Sequence, residues 1–168
     1  RLVDAQAPTL AEEVRRLGSS IAMYRAAIAL VRGDVAGTLQ SARRALDLAP
    51  PADHLGRGGA AGFLGLAHWT NGELETAHQW YAECLARMQR AGHLADTFGC
   101  SLALADLRLA QGRLHEAVRT LEAALQLPIA PGAPRPRGMA DMHVGLGAIY
   151  IERNDLDAAL DHATALLE

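Results

Sequence analysis

The densest run of small residues is Gly56-Arg57-Gly58-Gly59-Ala60-Ala61-Gly62, and clustered glycines of this kind can let backbone amides close on a phosphate. Its context argues against that chemistry. No strand pattern precedes the run, no Lys-Ser or Lys-Thr follows it, and the 168 residues include sixteen Arg and no Lys. A closely packed helix is the better reading. The seven histidines, His54, His68, His78, His93, His115, His143 and His162, never fall at i, i+3 or i+4, so no helix face carries two imidazoles for a metal. Cys84 and Cys100 lack zinc or redox spacing and read as two small packed thiols in a reducing compartment. Asp155, Asp157 and Asp161 follow a turn, where carboxylates complement a helix N-terminus, and capping accounts for the first two. No Ser/His/Asp or Cys/His set has local support, so no catalytic, cofactor or metal residue is assigned and the segment is not expected to be an enzyme.

What must position these side chains is a repeat. Gly33, Gly72, Gly112 and Asn154 recur at spacings of 39, 40 and 42 residues, and each opens a similar stretch: RGDVAGTLQSARRAL, NGELETAHQWYAECL, QGRLHEAVRTLEAAL and RNDLDAALDHATALL, counted from the residue before the turn. An aliphatic residue stands two positions on (Val35, Leu74, Leu114, Leu156) and Leu thirteen on (Leu46, Leu85, Leu125, Leu167). A fixed period near 40 with helical spacing inside it predicts an all-α solenoid of about four antiparallel helix pairs wound as a right-handed superhelix. Five residues after each turn stand Thr38, Ala77, Ala117 and Ala159, and seven before stand Ala26, Gly65, Ala105 and Gly147. These small residues predict the two sides of a close helix crossing.

The expected helices run over about 9–32 and 34–48, 57–71 and 73–91, 93–111 and 113–127, and 138–153 and 155–168. The whole of 1–168 reads as one repeat domain. Residues 1–18 hold the end of a preceding unit and the start of a long first helix, and the units span about 19–51, 57–92, 93–128 and 138–168. Pro50–Pro51 closes the first pair, and the four prolines between Pro128 and Pro136 predict an extended loop. In the first helix Leu10, Val14, Leu17, Ile21, Tyr24, Ile28 and Val31 step by three and four, which predicts a single buried stripe. The chain begins at Arg1 with neither Met nor a signal-like segment and reads as a piece of a longer protein.

With the turn glycine as position 15 of a unit, the fourth unit has Leu146, Gly147 and Tyr150 at positions 7, 8 and 11, then Leu156 and Ala159 at 17 and 20. The second has Leu64, Gly65, Leu74, Ala77 and Tyr81, and the first ends on Pro50 at position 32. This pattern resembles the tetratricopeptide repeat. It departs from it at position 11, which is Ala29, His68 and Arg108 elsewhere, and in a period longer than the usual one of about 34. The segments AMYRAAIALVRGDVAGTLQSARRALDLAP, LGLAHWTNGELETAHQWYAECL, LALADLRLAQGRLHEAVRTLEAAL and VGLGAIYIERNDLDAALDH resemble the MalT-like repeat region of LuxR-family transcriptional regulators. The resemblance implies an ATPase module before the repeats, a DNA-binding domain after them, and a repeat segment that senses an effector and contacts those modules from the cytoplasm.

In tetratricopeptide arrays the concave groove is lined by first-helix positions 2, 5, 9 and 12. The resemblance therefore marks Met23, Leu30, Leu66, Trp69, Leu102, Asp106, Leu109, Val144 and Ile151, with Gly59, Gly62 and Gly99 among them, as a groove for a small-molecule effector or a peptide. Trp69 beside small residues would offer a flat stacking surface, with core packing as the competing role. Trp80 and Tyr81 are expected to be structural. A net charge of −3 leaves no cationic excess for phosphate backbones or anionic lipid, and no stretch is long and apolar enough for a bilayer. No cofactor, direct nucleic-acid contact or membrane contact is expected, and uncovered end units offer a route to a homodimer. The alternative is a scaffold for protein assembly with no role in transcription.

Overall fold

The computed structural model describes residues 9–129, Pro136 and 138–167, and among them the regular structure is eight α-helices. They are α1 (Leu10–Val31), α2 (Val35–Leu48), α3 (His54–Thr70), α4 (Leu74–Ala91), α5 (Leu94–Ala110), α6 (Leu114–Leu125), α7 (Met139–Glu152) and α8 (Leu156–Ala165). Consecutive helices pair as α1–α2, α3–α4, α5–α6 and α7–α8, and each pair stacks on the next through α2–α3, α4–α5 and α6–α7. No described helix is long and apolar enough to cross a membrane.

One local device makes every intra-pair turn. The backbone N–H of Asp34, Glu73, Arg113 and Asp155 donates to the carbonyl five residues back, on Ala29, His68, Arg108 and Tyr150, at 2.9, 2.9, 2.7 and 2.9 Å. That closure needs a left-handed residue just past the helix end. Gly33, Gly72 and Gly112 supply it at φ of 73°, 79° and 74°, and Asn154 does so at 56°. Asp34 then caps α2 by accepting from the Gly37 N–H at 2.8 Å, and Asp155 caps α8 by accepting from the Ala158 N–H at 3.3 Å.

Beyond the turn, the small residues face inward. Thr38, Ala77, Ala117 and Ala159 are buried, as are Ala26, Gly65 and Ala105, and a methyl at Gly147 would lie 3.9 Å from the Ala159 carbonyl oxygen. Tyr81 fills the α3–α4 crossing, its ring lying where a Cβ on Gly65 would approach to 2.6 Å. Trp80 packs on Ala26, Ala42 and Leu64 of the preceding helices. The largest core joins Phe98 and Ala105 of α5, Val118 and Leu121 of α6, and Met142, Leu146 and Ile149 of α7.

Three expectations are corrected. The stripe on α1 is not buried: Leu10, Val14, Leu17, Ile21, Tyr24, Ile28 and Val31 are all exposed, Tyr24 to 73%. The helix instead turns Ser19, Ala22 and Ala26 inward, because α2 and α3 approach so closely that only small side chains fit, and no described element covers the opposite side. Next, α3 begins at His54 rather than at 57, because Asp53 accepts from the Gly56 N–H at 2.8 Å and caps the helix before the glycine run. Last, α8 ends at Ala165 rather than running to 168. The proline-rich connection lies largely outside the described residues, as does the segment 1–8.

Candidate ligand groove

The concave side is not evenly closed. First helices touch between α1 and α3 and again between α5 and α7, but α3 and α5 lack comparable packing, so α4 lies at the bottom of a gap between them. Gly59, Gly62 and Leu66 recur along one side of α3, Gly99, Cys100 and Ala103 along α5, and Tyr81, Cys84 and Met88 along α4. Together with Phe63 and Asp96 they line an open, mostly apolar groove of about 320 Å³. The glycines explain the opening. A methyl on Gly62 would come within 3.3 Å of Cys84 Sγ, whereas one on Gly99 would meet nothing within 4 Å. Space therefore stands in front of α5, over a floor that α3 touches closely.

Two thiols form part of that floor. Cys84 Sγ and Cys100 Sγ are 3.0 Å apart, both free and both buried. The Cys100 pKa is lowered because the Cys84 S–H donates to its sulfur. That same hydrogen bond, followed by burial, holds Cys84 protonated. Beside them, burial raises the Tyr81 phenol pKa. At the rim Asp96 pairs with His93 at 2.9 Å.

The expected groove residues separate into groups. Leu66 lines the cavity, and Met23 borders it, its methyl lying where a Cβ on Gly59 would approach to 2.6 Å. Trp69, one helical turn beyond, meets Tyr81 edge-on with centroids 6.2 Å apart and planes at 87°, and it packs with Leu66 on the cluster of Ala77, Tyr81, Leu104 and Leu107. Leu102 and Leu109 lean on the α5–α7 core. Leu30 is half-buried on α1, Asp106 is exposed on α5, and Val144 and Ile151 are exposed on α7. Met23 and Leu66 are thus gathered around the gap, and the other seven are not.

Sequence reasoning missed the residues that only tertiary packing joins. The thiols sit in different helix pairs, and no spacing rule connects them. His143 and His162 likewise meet across α7 and α8, Nδ1 to Nδ1 at 3.0 Å. Tyr150 stacks on His162 at 5.5 Å and donates to Glu122 Oε1 at 3.3 Å. Among the described residues no three His, Cys, Asp or Glu side chains gather as a metal site. The polar side chains at position 11 each find a partner within their own or the preceding pair. His68 meets Glu73 at 2.6 Å, Arg108 donates to Thr120 and lies 3.7 Å from Glu116, and Tyr150 reaches back to Glu122. Desolvation lowers the Arg108 pKa there and likewise that of His78, whose Nε2 is buried without a hydrogen-bond partner.

The repeat fold has known counterparts. A family model described as the MalT-like TPR region matches residues 19–167. The crystal structure of BtubC (BKLC) from P. vanneervenii is similar in fold, with a TM-score of 0.77 at 16% identity over 97% of this chain. The chain spans 65% of that protein's length. No curated protein matches in sequence.

Proposed function

The chain belongs to the MalT-like TPR family, and from that premise we propose that it is the sensing and interaction segment of a LuxR-type transcriptional regulator. It binds a small effector or a short apolar peptide in the α3–α5 groove and does no chemistry of its own. Flanking ATPase and DNA-binding modules would read the bound state through changes in how the repeats dock on them.

The observation that carries this reading is the gap between α3 and α5, with Gly62 and Gly99 placing no side chain in it and Leu66 and Phe63 giving it apolar walls. A thermal-shift screen of sugars, nucleotides, other small metabolites and short apolar peptides tests it, with Gly99→Leu as the control. Because Gly99 faces open space, a leucine there fills the groove without crowding the core. The expected result is stabilisation of the wild type by one class of compound and none in Gly99→Leu. Equal stabilisation of both would remove the groove from the proposal.

A scaffold for protein assembly is the second reading, supported by the exposed apolar stripe of α1. The two differ in what disables them. A scaffold keeps its binding in Gly99→Leu and loses it when Ile21 and Ile28 are both changed to Glu, whereas an effector sensor does the reverse.

A further inference from the structure

The floor of the groove holds a pair of nucleophiles that effector binding does not require. Cys84 lies on α4, the second helix of one pair, and Cys100 on α5, the first helix of the next. Their sulfurs are 3.0 Å apart and need to close by only about 1 Å to reach bonding distance. They are buried by protein but not sealed, because both line the open groove, where Gly62 and Gly99 place no side chain in front of them. Cys100 is the more accessible, at 9% exposure against 2% for Cys84. We propose that Cys84 and Cys100 are a redox modification site, forming a reversible disulfide in response to a hydroperoxide and thereby locking the joint between the second and third helix pairs.

The chemistry balances with one peroxide per pair. The Cys100 thiolate attacks a peroxide oxygen and the O–O bond breaks. With hydrogen peroxide, the departing hydroxide takes up the proton that Cys100 released and leaves as water (an alkyl hydroperoxide would release its alcohol instead), and Cys100 becomes a sulfenic acid. The Cys84 sulfur then attacks the Cys100 sulfur. The S–S bond forms, the S–O bond breaks, and the hydroxyl leaves as a second water with the Cys84 proton. Two thiols have lost two electrons to the peroxide. A dithiol reductant reverses the step by thiol–disulfide exchange and is itself oxidised. The lowered pKa of Cys100 favours it as the attacking sulfur.

The consequence is mechanical. Apart from the short turn at Gly92, α4 and α5 are held together by non-covalent contacts, chiefly Cys84 and Met88 against Cys100 and Ala77 and Tyr81 against Leu104 and Leu107. A covalent tie here fixes one unit's rotation on the next, and with it the width of the groove. This inference does not depend on what fills that groove.

The test treats the full chain with a stoichiometric amount of hydrogen peroxide and digests it with trypsin without reduction. Cleavage at Arg places Cys84 in the peptide 58–87 and Cys100 in 91–108. The expected result is a single species in which these peptides are joined within one chain, lighter by two hydrogens and separated again by dithiothreitol. The unfolding midpoint of the oxidised wild type should rise by roughly 5–10 °C, with no peroxide-induced rise in Cys84→Ser or Cys100→Ser. Unlinked peptides, a Cys100 oxidised only to the sulfinic acid, or links only between chains would overturn the site. A correct link with an unchanged or lower midpoint would overturn the lock.

Discussion

α1 and α5 hold equivalent places, each the first helix of its pair, and they use their large side chains in opposite ways. α5 lies between α4, α6 and α7, and it buries Phe98, Leu104 and Leu107. α1 has only α2 and α3 beside it among the described elements; it buries Ser19, Ala22 and Ala26 and presents seven large apolar residues outward. A helix can therefore carry a continuous apolar stripe at good spacing and still be held by its opposite, small-residue side. The stripe records that a helix has an apolar face, while the small residues record where its neighbour lies.

The sharpest way to break this comparison is to remove one large aromatic from each helix. Phe98 is 1% exposed, so Phe98→Ala should cost about 3–5 kcal/mol in urea unfolding. Tyr24, at 73% exposure, should change stability by no more than about 0.5 kcal/mol on substitution by Ala. If Tyr24→Ala costs more than about 2 kcal/mol, that ring is covered in solution, and the contrast between the helices fails.

What could be read from the sequence follows the same division. The turns were legible because a left-handed residue and its closing hydrogen bond lie within six residues, so Gly33, Gly72, Gly112 and Asn154 each announce themselves locally. The crossings were legible because the same turn geometry recurs and brings the same two small positions to the crossing, as Gly147 and Ala159 illustrate. The stripe on α1 was misread because periodicity gives a face without saying whether anything packs on it. The cap at Asp53 was missed because the low helix propensity of the following glycines masked a helix that is held by packing against Met88 and Tyr81. The thiol pair and the His143–His162 pair could not be seen at all. Their separations of 16 and 19 residues acquire meaning only once the rotation between neighbouring helices is known. Around the groove, the glycines, Met23 and Leu66 were legible in the sequence and the sulfur floor was not.

A smaller effect sharpens the comparison within the middle of the chain. Gly65 and Gly99 are both helical glycines, where alanine normally stabilises by about 0.5–1 kcal/mol. At Gly99 that gain should appear in full, because a Cβ there meets nothing within 4 Å. At Gly65 the same methyl would press on the Tyr81 ring at 2.6 Å, and the overpacking should reverse the sign to a loss of about 1–3 kcal/mol. Paired urea titrations of the two variants check this, and equal effects would mean that the α3–α4 crossing is looser than its geometry.

The smallest expected effect concerns the outward side of α5, which the contrast with α1 treats as plain solvent. Asp106 is exposed there, yet partial desolvation beside the helix holds its carboxyl above the ordinary aspartate value. Below that ordinary value, about 3.9, both folded and unfolded chains keep the proton and the group contributes nothing. As pH rises from there to the raised value, the unfolded chain ionises first, so folding is weakened by an increment that then stays constant. Asp106→Asn removes the increment. The variant should match the wild type in acid and gain a slightly higher unfolding midpoint towards neutral pH, the gain being small because solvent screens an exposed charge. A difference that is constant across the titration would show that the carboxylate feels only water, and that this side of α5 is as open as the outer face of α1.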